Sequence, residues 1–352
     1  MWKVLLALVS HRLLLFIVAL LVINSSLDTV GQAAGTSHLH TFPEMWGQFR
    51  ARVGESSEGV AVRELAQVPM SKVFVATYNP FLWLARWACG IFRLSPVNSL
   101  LFLSNIFLFL FLWELNALFN RMVTPDVATS ATILIVLWPT CYELSLGSTM
   151  AMSCFLVALA VRHALDNQWF IGGLGLGGLA LVEPMAIGLL PLILYVFWYF
   201  QRHFPMLDVA KRAAFFLVPV GLAVAWRLPA YRNLGAVIHG SALMQVLGVF
   251  HGAGITWIFS HDLAGQTISL VFFAIGAVAA LFSNITFVNR IIPAVLLLLV
   301  TLFSPYATLA SRVPLAGACM EGIASASSRQ AGRIVAVLML GLGIYEIYAV
   351  FR

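Results

Sequence analysis

The sequence predicts a polytopic α-helical membrane fold, and three observations carry that expectation. Hydrophobic residues make up 61% of the 352 residues and charged ones 10%, where a soluble domain holds roughly 25% charged and about 45–50% apolar residues. Mean hydropathy is +0.95, which leaves too little polar surface to coat a water-soluble globule. The apolar residues also gather in runs, many of them close to the ~20 residues that one membrane helix needs. The formal net charge of +6 does not mark a nucleic-acid binder. Lys and Arg stand singly at the ends of apolar runs, the pattern of loop charges that orient a membrane chain.

The first apolar run, Val4–Ile23, exceeds the roughly 7–15 residues of a signal-peptide core. It contains His11 and Arg12, and no clean small-x-small site follows, so it reads as a retained first helix with its N-terminus in the cytoplasm. Next comes the longest polar stretch, Asn24–Lys72, a first non-cytoplasmic loop. Gly54–Gly59 reads as a turn within it, and a helix lying along the interface is expected nearby. Spans are expected at Val73–Phe92, Val97–Phe119, Val127–Tyr142, Thr149–Val161, Ile171–Tyr199, Ala213–Trp226, Thr267–Phe282, Ile291–Phe303 and Ile334–Phe351. Leu234–Phe259 is broken by glycines and reads as an extra span, a re-entrant segment or an amphipathic helix. The chain is thus a single transmembrane domain, 1–352, of about ten helices.

Alternation from a cytoplasmic Lys3 puts Arg86, Arg93, Arg202, Lys211, Arg212, Arg290 and Arg352 inside, as the bias of short loops toward basic residues requires. The polar segments 24–72, 227–266 and 304–333 then gather on the outer face, where any chemistry is expected.

Within the apolar runs, Gly172–Gly178 looks like a nucleotide loop but lacks the strand and βαβ unit that such a loop needs. It reads as a small-residue packing face on a membrane helix. Cys89, Cys141, Cys154 and Cys319 have no ligand-like spacing and read as small buried hydrophobes. Charges inside apolar runs are costly and point to function. Arg12, Glu114, Glu183 and Glu346 are the ones to weigh. They read either as a buried Arg–Glu pair between helices or, for Arg12, as a guanidinium that holds a lipid phosphate bidentately. Glu183-Pro184 marks a kink, since proline removes a backbone donor. The eight histidines are dispersed, and no HExxH, GxSxG or P-loop element occurs, so no metal site is expected.

From about Ala76 onward the chain resembles a known family. Tyr78-Asn79-Pro80-Phe81-Leu82-Trp83-Leu84-Ala85-Arg86, then Leu94-Ser95-Pro96-Val97, then Leu103-Ser104-Asn105-Ile106-Phe107 resemble the "FPLYPLLxR … LSP … LLSN" stretch of the PIG-V-like mannosyltransferases, membrane glycosyltransferases of the GT-C type. Other pieces follow in the family's order: Arg12 in the first helix, Pro139 with Ser145 and Gly147, Trp169-Phe170-Ile171-Gly172-Gly173, and Ser311-Arg312-Val313-Pro314. The resemblance implies a GT-C scaffold that takes a sugar from a polyprenyl-phosphate donor. A carboxylate in the first outer loop would act as general base on the acceptor hydroxyl, and basic groups would stabilise the phosphate leaving group. It implies Glu44 as that base, with Arg12, Arg50, Arg52 and Arg312 holding donor phosphate or lipid. The chain departs from the pattern in places. Gly47 follows Trp46 where the family carries aspartate, and the glutamate of the family's YSES element is absent from Ser148-Thr149-Met150-Ala151.

Two functions are therefore expected. The first is an outer-face sugar transferase whose partners are membrane lipid and a lipid-linked sugar donor. The second is a catalytically inactive GT-C-like subunit that binds lipid or a partner membrane protein. An unrelated transporter or channel has little support, because the sequence shows no inverted internal repeat of the kind that marks many transporters. The small loops favour a bacterial inner membrane over the endoplasmic reticulum.

Overall fold

The computed structural model describes residues 50–73 (52 excepted), 77, 79–122, 147–182 and 204–228, with single positions at 125, 128, 129, 132, 144, 198 and 201. All regular structure among the described residues is helical. The helices are α1 (Ser57–Ala66), a 3-10 turn (Met70–Lys72), α2 (Pro80–Phe92), α3 (Pro96–Met122), α4 (Met150–Leu165), α5 (Trp169–Val182) and α6 (Met206–Trp226). The expected spans Val4–Ile23, Thr267–Phe282, Ile291–Phe303 and Ile334–Phe351 lie outside the described residues, as do Leu234–Phe259 and most of Val127–Tyr142. Two helices, α3 and α6, are long and apolar enough to cross a membrane. At 27 and 21 residues they rise about 40 and 31 Å, against a hydrocarbon core of ~30 Å.

The described residues fall into two compact units. The first takes in residues 50–116 and 132–155, the second 117–131 and 156–228, so α3 and α4 contribute to both. In the first unit, Phe81, Leu100, Phe111, Leu112 and Leu115 are almost fully buried. Phe107 stacks at 6.3 Å from Phe81 and 5.9 Å from Phe155. Glu114 is buried there too, at 9% exposure.

Val73–Phe92 does not run as one span. A helix over those residues would hold Met70 and Gly90 about 30 Å apart, yet Met70 Cε lies 3.5 Å from where a Cβ on Gly90 would stand. The break is at Asn79-Pro80. Asn79 is extended and accepts from the Phe81 backbone N–H at 3.0 Å, which caps α2. Pro80 takes the first helical position, where its missing N–H costs nothing, and it disfavours helix in the residue before it. Trp83 Nε1 donates to Thr77 O at 2.6 Å and ties the break down.

Ile171–Tyr199 is likewise not one span. A single helix through it would separate Asn167 from Gln201 by about 50 Å, but Gln201 Nε2 donates to Asn167 Oδ1 at 2.9 Å. The Glu183-Pro184 pair read from sequence as a kink lies outside the described residues, and the described part of α5 runs to Val182. Its glycines then meet α6 in rising order. A Cβ on Gly173 would stand 3.0 Å from Phe216 Cα, and one on Gly177 would stand 2.9 Å from Pro219 O. α5 and α6 therefore pack in parallel. The glycine run is the packing face the sequence predicts, with Gly172 and Gly175 meeting α4 on another side at Ala160 and Ala164.

The tight α4–α5 corner has its own cause. Asn167 N–H donates to Ala164 O at 3.2 Å and Gln168 N–H to His163 O at 2.8 Å. This is a Schellman ending with Asn167 in the left-handed region at φ 59°, a conformation asparagine tolerates.

Candidate functional site

The expected loop turn at Gly54–Gly59 is instead a joint between helical pieces. Ser56 is extended. Its hydroxyl donates to Val53 O at 2.7 Å and accepts from Gly59 N–H at 3.0 Å. One side chain thus closes the piece before it and caps α1. Gly59 is required at the joint, since a Cβ would stand 2.7 Å from Gly54 O.

This joint shapes an open cavity of about 460 Å³ lined by Arg50, Gly54, Glu55, Arg63 and Val97. Arg63 reaches back from α1, and its Nη2 donates to Gly54 O. A Cβ on Gly54 would stand 2.7 Å from that nitrogen, so glycine lets the guanidinium close in. Arg50 and Glu55 are exposed. Val97 belongs to the first turn of α3, where Ser95 Oγ accepts from Asn98 N–H at 3.3 Å. The positive end of a 27-residue helix adds to the field of the two arginines. Two guanidiniums beside a helix N-terminus favour a phosphate-sized anion, and Glu55 supplies an acceptor for a hydroxyl.

Of the residues expected at the site, Arg50 lines this cavity. Glu44, Arg12, Arg52 and Arg312 lie outside the described residues. Arg63 and Glu55 were missed as site residues. The available signal was their spacing around Gly54 and Gly59, which allows a backbone close enough for a side chain nine residues on to grip it.

Arg86 corrects a second expectation. Alternation puts it on the cytoplasmic side, opposite the 24–72 loop. In the structure its Nε donates to Leu65 O at 2.8 Å and its Nη2 to Val68 O at 3.3 Å, so it closes the C-terminal end of α1 within that loop. Arg86 thus lies beside residues 65–68 and not a bilayer's width away from them. Arg93 leads from α2 into α3, whose Val97 lines the same cavity as Arg50. Carbonyls at a helix C-terminus attract a guanidinium as they attract water.

Among the described residues no group of three His, Cys, Asp or Glu side chains gathers to hold a metal. Cys154 is buried, and Cys89 Sγ lies 3.1 Å from Ser99 Oγ, with neither in a disulfide. The described residues define an all-helical chain with two helices able to span a bilayer by length and composition, and an arginine-lined cavity on its first loop. Compared with protein-family models, curated proteins and solved structures, the chain matches none.

Proposed function

We propose that the chain is a multi-pass membrane glycosyltransferase of the GT-C type, moving a sugar from a polyprenyl-phosphate donor to an acceptor on the outer face. The observation that carries this reading is the pairing of Arg50 with Arg63 in one open cavity, within the loop that the sequence puts outside. Two guanidiniums fit the charge that develops on a departing lipid phosphate. Glu44 lies six residues before Arg50 and is the base in this reading.

The basic residues of the second unit support the orientation. Arg121, Arg162, Lys211 and Arg212 stand at the ends of α3, α4 and α6. The Asn167–Gln201–Arg212 hydrogen bonds and the Arg121–Asp166 ion pair at 2.8 Å link them to the α4–α5 corner. That end is cytoplasmic by the positive-inside rule, and α6 carries the chain outward to Arg227. Single cysteines at the exposed positions Asn167 and Phe204 should then be labelled from the cytoplasmic side alone. Labelling from opposite sides would exclude the doubled-back 171–199 segment.

The transfer test uses the full chain in proteoliposomes with polyprenyl-phosphate mannose. Wild type should move sugar out of the lipid donor. Glu44→Gln should lower the rate roughly 10²–10⁴-fold, the usual cost of a lost base. Arg50→Lys should lower it less than Arg50→Ala, because a point charge replaces a fork. The second reading is an inactive lipid-binding subunit, favoured by Gly47 standing where the family carries aspartate. Donor binding without transfer of any polyprenyl-linked sugar would select it and overturn the first.

A further inference from the structure

A second cavity, of about 390 Å³, opens at the α4–α5 corner in the other unit and is lined by Asn167, Trp169, Phe170, Ile171, Arg212 and Phe215 among others. Arg212, the cationic side chain among its described lining residues, is held in place. Arg212 Nη1 donates to Gln201 Oε1 at 2.6 Å, its guanidinium carbon stands 4.3 Å over the Phe204 ring, and Gln201 is fully buried and bonded in turn to Asn167. A guanidinium fixed by a buried amide presents its other N–H groups at low entropic cost.

The rim is apolar and bare. Phe170, Ile171 and Phe215 are 51%, 38% and 60% exposed. Above them Leu174 on α5 and Val218, Leu222 and Trp226 on α6 are exposed as well. Only 22% of the membrane-length window of α6 is buried, against 61% for α3. In water such a surface would be a liability. In a bilayer it is a wall for acyl chains, starting one turn beyond Arg212.

Charge selects the headgroup. The described ionisable side chains around this end are Arg121, Arg162, His163, Lys211 and Arg212, set against Asp166 and Asp208. Asp166 is engaged by Arg121 at 2.8 Å and faces Arg162 at 3.8 Å. Asp208 stands one turn before Arg212 in α6. The balance is positive, so a choline headgroup is repelled and a net anion is drawn in.

We propose that this cavity is a lipid site separate from the loop cavity. The phosphate of an anionic phospholipid in the cytoplasmic leaflet docks on Arg212, and its acyl chains run along the exposed faces of α5 and α6. The site rests on α6 crossing a membrane and not on sugar transfer. Single cysteines at Met206 and Leu228, exposed at the two ends of α6, test the crossing by itself, since a spanning α6 is labelled there from opposite sides and labelling from one side alone overturns it.

Lipid binding is read on the full chain in detergent by titrating phosphatidylglycerol, phosphatidylcholine or inorganic phosphate and following thermal unfolding. Phosphatidylglycerol should raise the midpoint, and phosphatidylcholine and free phosphate should leave it unchanged. Arg212→Ala should weaken phosphatidylglycerol binding about tenfold, the scale of one charged hydrogen bond. Equal responses to the two lipids, or a full response to phosphate alone, would overturn the site. If Arg212→Ala does not fold, Phe215→Glu serves, since it adds a carboxylate to the exposed rim and leaves the Arg212–Gln201 bond in place. Undiminished phosphatidylglycerol binding by Phe215→Glu overturns the proposal, and a loss supports it.

Discussion

In each unit the last described turn of one helix meets an arginine from a later helix or its cap. In the first unit Arg86 donates to Leu65 O and Val68 O at the end of α1. In the second, Arg227 donates to Ala180 O and Leu181 O at the end of α5. The device is the same: a cation adds a donor to carbonyls of a helix's last described turn, toward the negative end of its dipole, even where, as at Leu65 O, the backbone N–H of Val68 already donates at 3.0 Å. The settings differ. α5 is also pressed against α6 through glycines that admit no substituent. α1 is a ten-residue helix bearing Arg63, Glu58 and Glu64, and an isolated helix of that length is marginal in water. One helix is therefore held mainly by apolar close approach, with arginine as an addition, and the other depends on arginine much more heavily.

The largest expected effect lies in the glycine contact. At Gly173 an alanine methyl would stand 3.0 Å from Phe216 Cα and 3.1 Å from Phe216 C, and main chain cannot turn aside as a side chain can. Gly173→Ala should force α5 and α6 apart and cost about 3 kcal/mol, the upper part of the overpacking range. Gly178 is the control on the same helix. Its methyl would meet only the end of Leu156, at 3.1 Å, so Gly178→Ala should cost under ~1 kcal/mol. Unfolding of the two variants in the same detergent gives the comparison. Equal losses would mean that the helices are not held by backbone approach.

The arginines come next. Arg86→Ala should cost about 1.5–3 kcal/mol, the worth of charged hydrogen bonds to part-buried carbonyls, and should abolish amide-exchange protection over residues 57–68. Arg86→Lys should recover part of it through a single donor. Arg227→Ala should cost less, about 0.5–1.5 kcal/mol, because the glycine contact still fixes α5. If Arg227→Ala proves the more damaging, the contrast between the units fails.

These contrasts also show what was legible beforehand. The ends of α3 were readable to within three residues, because Pro96 and Arg121 bracket a predominantly apolar run, and the Gly172–Gly178 face was readable from side-chain size. The two doubled-back segments were not. Hydropathy sums along the chain and carries no information on closure, so 73–92 and 171–199 looked like single passes. The signals were local, Asn79-Pro80 as a cap with proline behind it and Asn167 as a left-handed corner. Arg86 was misassigned for a related reason. An arginine near the end of an apolar run looks the same whether it meets water or the end of another helix. At the site Arg50 was legible as a loop cation, whereas Arg63 owes its place to a fold-back onto Gly54 that only the tertiary structure supplies.

The smallest expected effect has the opposite sign. Gly221 lies inside α6, is exposed, and has nothing within 4 Å of where its Cβ would stand. Glycine in a helix interior costs roughly 0.5–1 kcal/mol relative to alanine through the freedom it loses on folding. Gly221→Ala should therefore raise stability by about that amount, while the same change at Gly173 lowers it. Small residues on membrane helices also mark faces where another helix approaches. A loss of stability in Gly221→Ala would mean that a further helix or a second chain covers this side of α6, which would take away the bare wall beside Arg212. A gain keeps that wall open to lipid.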